Sequence, residues 1–202
     1  LCRGQARRNE KGNAHRIAGS QTDITDRKVY NPLTGLPNRI LFIDRLEHAM
    51  KRAKPQTKAF GVAVVEIGDV KTIASSLGHV WADRLICEIA RKIQGCLSAN
   101  DTVAHFGNDD FVLLLEEATD GKSAAIAASR LQRELEKPFQ IDGQPVYISP
   151  HTGITISTCE YIHPEELVRD AYAAMQRAKA EGNGRFEIFD RKMRSSAIAR
   201  LK

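Results

Sequence analysis

Apolar residues change their spacing several times along the chain, and each change predicts an element. Ile40, Leu41, Phe42, Ile43, Leu46, Ala49 and Met50 recur at helical intervals behind a turn-rich segment, Asn31 to Arg39, that holds two prolines and a glycine. Phe60 to Ile67 is almost uninterrupted in apolar character and of strand length, the pattern of a central strand covered on both faces, with Glu66 near its end. Val70 to Leu77 reads as a short helix, and Leu85, Ile86, Cys87, Ile89, Ala90, Ile93 and Leu97 form the buried stripe of another. Thr102-Val103-Ala104 and Val112 to Leu115 are β-formers on either side of Gly107-Asn108, which predicts a hairpin whose return strand opens with Asp109 and Asp110. Lys122 to Leu135 is an amphipathic helix. Pro138 to Ile148 is a second hairpin turning at Asp142-Gly143, and His151 to Ser157 a strand. Pro164 to Ala180 is a helix stopped near Gly182, and Phe186 to Phe189 a last strand. Helices alternating with strands and hairpins from 31 to 189 predict an α/β domain, a central mixed sheet layered by helices.

The flanks differ from this body. Residues 1–30 carry seven Lys/Arg against three Asp/Glu, whereas the remaining residues carry 23 against 22, so most of the net charge of +5 belongs to the flank. A nearly neutral body with 6% aromatic residues lacks the basic, aromatic-lined face of a nucleic-acid binder. Ala14 to Gln21 alternates like an edge strand, and Met193 to Lys202 begins a helix with no stop signal. No apolar run is long enough to span a bilayer. The chain reads as a piece of a larger, cytoplasmic protein. Cys2, Cys87, Cys96 and Cys159 have no metal-ligand spacing and are expected as buried thiols.

The candidate chemistry lies in acids. Successive strand residues face opposite ways, so Asp109 and Asp110 are expected to do different jobs. Glu66 at a strand end and an acid on a neighbouring hairpin together suit Mg²⁺, which takes hard oxygen ligands. Gly107-Asn108-Asp109-Asp110-Phe111 resembles the Gly-Gly-Asp-Glu-Phe signature of the GGDEF family, the diguanylate cyclase domain. Asn31-Pro32-Leu33-Thr34-Gly35-Leu36-Pro37-Asn38-Arg39 is similar to the family's opening motif, with Asn31 in place of aspartate. Gly78-His79-Val80-Trp81-Ala82-Asp83 matches its Gly-His-x-x-Gly-Asp, and His151-Thr152-Gly153-Ile154 resembles its Ser-x-Gly-Ile. The resemblance implies the GGDEF, nucleotidyl-cyclase-like fold with a mostly antiparallel central sheet. It divides the chain into the tail of an upstream PAS-like sensor domain with a linker (1–30), a GGDEF domain (31–190) and the start of a connector helix toward an EAL phosphodiesterase domain (191–202).

The same resemblance implies Mg²⁺ on Glu66, Asp109 and Asp110, and catalytic roles for Asp109 and Asp110 if the domain is active. It implies guanine nucleotide held by Asp83, Lys179, Arg185, Gly107 and Asn108, with phosphates along the backbone amides after Glu66, and a reaction across a homodimer. Departures from the family pattern weigh against turnover. Gly68 stands in place of a second acid, Ala74 in place of an asparagine that reads guanine, Asn183 in place of a phosphate-binding cation, and Asn108 in place of a glycine. Ser98 stands in place of the arginine of an inhibitory Arg-x-x-Asp site, so tight product binding with Asp101 is not expected. The expectation is a regulatory GTP-binding module acting on an attached EAL domain. A catalytically inert dimerisation scaffold and a weak or active cyclase, making cyclic di-GMP from two GTP, are the alternatives.

Overall fold

A computed structural model describes residues 2–8, 14–21, 29–56, 58–107, 109–158, 160–182 and 186–190, with backbone only for 2–8, 14–21 and 54–56. Strands β1 (Cys2–Arg8) and β2 (Ala14–Gln21) pair antiparallel as a hairpin of their own, so the alternation at 14–21 is a strand, with a partner that the sequence pattern did not reveal. The expected connector helix at 191–202 lies outside the described residues.

The main sheet has the order β4-β5-β3-β8-β9, from β3 (Gly61–Ile67), β4 (Thr102–His105), β5 (Asp110–Leu115), β8 (Pro150–Ile156) and β9 (Phe186–Ile188). Its pairings are antiparallel except β8 with β9. The apolar run at 60–67 is therefore the middle strand, and its alternate side chains enter two cores. Val62 and Val64 pack with Phe42, Leu46, Val112, Leu114, Leu167, Ala171 and Met175 against helices α1 (Arg39–Gln56) and α5 (Pro164–Glu181). Ala63, Val65 and Ile67 pack on the other face with Leu85, Ile89, Ile93, Leu113, Leu131 and Leu135, beneath α3 (His79–Cys96) and α4 (Gly121–Leu135). Helix α2 (Val70–Leu77) joins β3 to α3. This is the α/β architecture that the pattern predicts.

The local signals have physical counterparts. Asn38 Oδ1 accepts from the amides of Ile40 and Leu41 and starts α1. Asn31 Oδ1 accepts from Leu33 and Thr34, so the amide side chain still closes the turn that an aspartate would close. Asp120 and Ser123 form a reciprocal capping box at the start of α4. The second hairpin, β6 (Phe139–Ile141) and β7 (Gln144–Val146), turns through Asp142 at φ 51° and Gly143 at φ 80°, the two positive torsions of a type I′ turn.

The cysteine expectation needs correction. Cys87 and Cys96 are free and half-buried; the Cys87 thiol reaches the Leu33 carbonyl oxygen at 3.4 Å, and burial pushes the Cys96 thiol pKa up. Helix sides are wider than a single stripe, and position 87 falls at its margin.

Helix α5 lies directly on β8. A Cβ at Gly153 would overlap the Met175 amide nitrogen and the Ala171 carbonyl oxygen, so only glycine lets helix and strand approach this closely. Gly153→Ala is expected to destabilise the domain by about 3 kcal/mol or more, read as a lower urea midpoint; an unchanged midpoint would contradict this packing.

Candidate functional site

The close seat of α5 decides what its polar residues can reach. Glu66, at the end of β3, lies directly opposite Asp110 on β5 and His151 on β8, so the three residues share the α5 face of the sheet. From α5, Lys179 Nζ donates to Glu66 Oε1 at 2.7 Å and Tyr172 Oη donates to Asp110 Oδ2 at 2.9 Å. Tyr172 and Lys179 stand seven residues apart, about two helical turns, which places both on one side of the helix.

Only Asp110 of the two hairpin aspartates lies in the strand, so the expected alternation between them does not apply. The Phe106 amide donates to the Asp110 carbonyl, and Asp109 sits at the tip, where its own carbonyl accepts from Ile67. Asp109 is half-buried, and its charge acts on Asp110 and Lys179. Gly107 at the same tip is exposed, and a Cβ there would meet nothing within 4 Å. Asn108, Asn183 and Arg185 lie outside the described residues.

The electrostatics follow from this crowding. Burial raises the Asp110 pKa, with Asp109 and Glu66 adding to the rise, against the lowering effect of the Tyr172 hydrogen bond and the Lys179 charge. The Tyr172 phenol is pushed up by burial and by the neighbouring Asp110. Lys179 is held above its ordinary value, first by its hydrogen bond to Glu66. Burial lowers the His151 imidazole, in spite of the Glu66 charge.

Glu66 Oε2 is buried with no hydrogen-bond partner, while its other oxygen is occupied by Lys179. An orphaned, buried carboxylate oxygen fits a hard cation that draws its other ligands from a bound phosphate. Among the described residues, no three His, Cys, Asp or Glu side chains form a ready metal group. The expected trio Glu66, Asp109 and Asp110 therefore does not converge as it stands; Asp110 points to Tyr172.

Backbone contacts bear on two further expectations. The amides of Ile67 and Gly68 are already donated, to the Asp109 carbonyl and to the Ser149 carbonyl, which leaves the amides from Asp69 onward for the phosphates expected after Glu66. Asp101 accepts from the Ser98 amide through Oδ2 and from the Glu116 amide through Oδ1, so both of its oxygens hold the turn before β4 and the start of the segment after β5. Asp83 is exposed on the first turns of α3 and Ala74 half-buried on α2. The sequence reading missed Tyr172 and His151. The seven-residue spacing of Tyr172 from Lys179 was a usable signal for the first; for the second it was the place of His151 two residues before Gly153 on the same strand, which puts both on one face.

Residues 28–185 match the family model described as "Diguanylate cyclase, GGDEF domain". The chain is 33% identical over 186 residues to the bifunctional diguanylate cyclase/cyclic di-GMP phosphodiesterase MucR of Pseudomonas aeruginosa, covering 92% of this chain and 27% of MucR. It is 30% identical to the diguanylate cyclase TpbB of the same organism, covering 84% of this chain and 39% of TpbB. Among solved structures, the GGDEF domain of TpbB (YfiN) superposes with a TM-score of 0.79 at 30% identity, covering 83% of this chain and 98% of that one. The chain thus belongs to the GGDEF family of diguanylate cyclase domains, a family of cyclic di-GMP signalling. It spans well under half the length of these full-length relatives. Among the described residues no helix is long and apolar enough to cross a membrane.

Because folded Asp110 keeps its proton to higher pH than the unfolded chain does, its contribution to stability is present below about pH 4 and is lost as pH rises through its raised value. Asp110→Asn keeps an acceptor for Tyr172 and removes that titration. Urea denaturation is expected to show the variant gaining stability relative to wild type between pH 4 and pH 7; a constant difference would contradict the assignment.

Proposed function

We propose that this domain binds GTP or a related guanine nucleotide with a divalent cation, does not turn it over, and passes its occupancy to an EAL phosphodiesterase domain of the same protein. The observation that carries this reading is the Lys179–Glu66 contact of 2.7 Å, which brings a phosphate-binding cation against a metal-binding acid at the tip of β3. Glu66 and Asp109 would hold Mg²⁺, whose chemistry when bound is to neutralise charge on the nucleotide phosphates. Lys179 binds phosphate oxygen, the exposed space over Gly107 admits the phosphate chain, and Asp83 accepts from the guanine edge. Arg185 and Asn108 complete the nucleotide contacts in this reading.

Turnover needs an acid free to assist the attacking hydroxyl. Asp110, one methylene shorter than the glutamate of the family signature, is tied to Tyr172, which supports binding without catalysis. The relatives' names point both ways, since NbdA of Pseudomonas aeruginosa, 28% identical over 173 residues, is named a cyclic di-GMP phosphodiesterase. An active or weak cyclase working across a homodimer is the second reading, favoured by the retained Glu66, Asp109 and Lys179. In the same proposal residues 1–30, whose β1–β2 hairpin suits the end of a sensor domain, belong to a PAS-like unit, 31–190 to the GGDEF domain and 191–202 to a connector.

Isothermal titration with GTP and Mg²⁺, followed by chromatography of the same mixture, is expected to give binding and no cyclic di-GMP. Product would establish the second reading, and absence of binding would overturn both. Replacing Asn108→Gly and Ala74→Asn together is expected to tighten GTP binding by about tenfold, the worth of one or two restored contacts; unchanged affinity would contradict the placement of the nucleotide.

A further inference from the structure

We propose that His151 is a ligand for the divalent cation at this site, so that the site accepts a first-row transition cation through an imidazole nitrogen as well as through carboxylate oxygen. The inference rests on the reading of Glu66 as a metal-binding acid and deepens it.

Three observations meet at one place. His151 stands directly opposite Glu66 in the β3–β8 ladder, so both side chains leave the same face of neighbouring strands. Glu66 Oε2 and His151 Nδ1 are both buried without a hydrogen-bond partner. The third concerns the donor that this chain lacks. Position 68, an acid in the family pattern, is glycine here, and a Cβ on it would come within 2.9 Å of the Ser149 carbonyl oxygen. An acid at 68 thus requires the backbone at 149 to move. The same Cβ position lies 3.9 Å from His151 Nε2, so the imidazole borders the space where the missing side chain would begin.

A nitrogen donor beside Glu66, with no acid at 68, changes which cation the site prefers. Mg²⁺ takes oxygen ligands, whereas transition cations accept imidazole nitrogen beside carboxylate. Lys179 need not leave for this, because it occupies Oε1 and the orphaned oxygen is Oε2. With Glu66 and His151 as the two protein ligands, the remaining positions fall to water or to nucleotide phosphate.

The probe is Mn²⁺, added to the 202-residue chain with and without GTP, and read by electron spin-echo modulation for coupling to ¹⁴N. Wild type is expected to show coupling from a bound imidazole. His151→Ser, which installs the residue of the family pattern, should abolish the coupling and weaken Mn²⁺ by about tenfold or more, while Mg²⁺ affinity changes by less than about twofold. His151→Gln serves as a second variant that keeps a polar side chain, with thermal unfolding confirming that both are folded. Bound Mn²⁺ without nitrogen coupling, or coupling that survives in both variants, would overturn this inference and leave the nucleotide reading intact. Failure of Mn²⁺ and Mg²⁺ to bind, with GTP or without it, would overturn both.

Discussion

The contact on which the structure most depends is the direct seating of α5 on β8 at Gly153. No side chain separates helix backbone from strand there. The buried faces of both elements are rich in small residues, Ala171, Ala174 and Ala178 on the helix side, and these fix the distance as well as the area of contact. A larger residue at 153 would have to lift the helix from the strand.

That distance is what brings the site together. Glu66 and Asp110 are neighbours across β3 and β5 whatever the helices do, since sheet register sets them opposite each other. Lys179 and Tyr172 reach them only because α5 lies close and presents one side to the sheet end. The outcome is a site in which each acid has a different neighbour. Glu66 has one buried oxygen without a hydrogen-bond partner and gives the other to a lysine, whereas Asp110 is held by a phenol and is disfavoured as an anion by burial. The proposed binding without turnover rests on this difference.

Much of this was legible in the sequence. The middle position of β3 followed from an apolar run too continuous for a half-exposed strand, whereas Asp109 lies outside β5, so the alternation expected of the two aspartates does not apply to it. The Asp142-Gly143 turn was legible because both positions require positive φ. What escaped was whatever depends on contacts between distant elements. Asp110 and Tyr172 are 62 residues apart and Glu66 and Lys179 are 113 apart, so no local pattern pairs them. The committed amides of Ile67 and Gly68 escaped for the same reason: their acceptors, Asp109 and Ser149, arrive from other loops. Asp101 resembled half of a binding motif, yet one oxygen accepts from its own turn and the other from the Glu116 amide after β5, which a motif match cannot register.

The central claim is that phosphate and cation meet between Lys179, Glu66 and Asp109. A crystal structure of the chain with Mg²⁺ or Mn²⁺ and a non-hydrolysable GTP analogue tests it most directly. The account predicts phosphate oxygens within hydrogen-bond reach of Lys179 Nζ, the cation on Glu66 Oε2, and Asp110 still bonded to Tyr172. A nucleotide bound elsewhere, or one seated there with Lys179 still on Glu66 and no cation on the free oxygen, would contradict it.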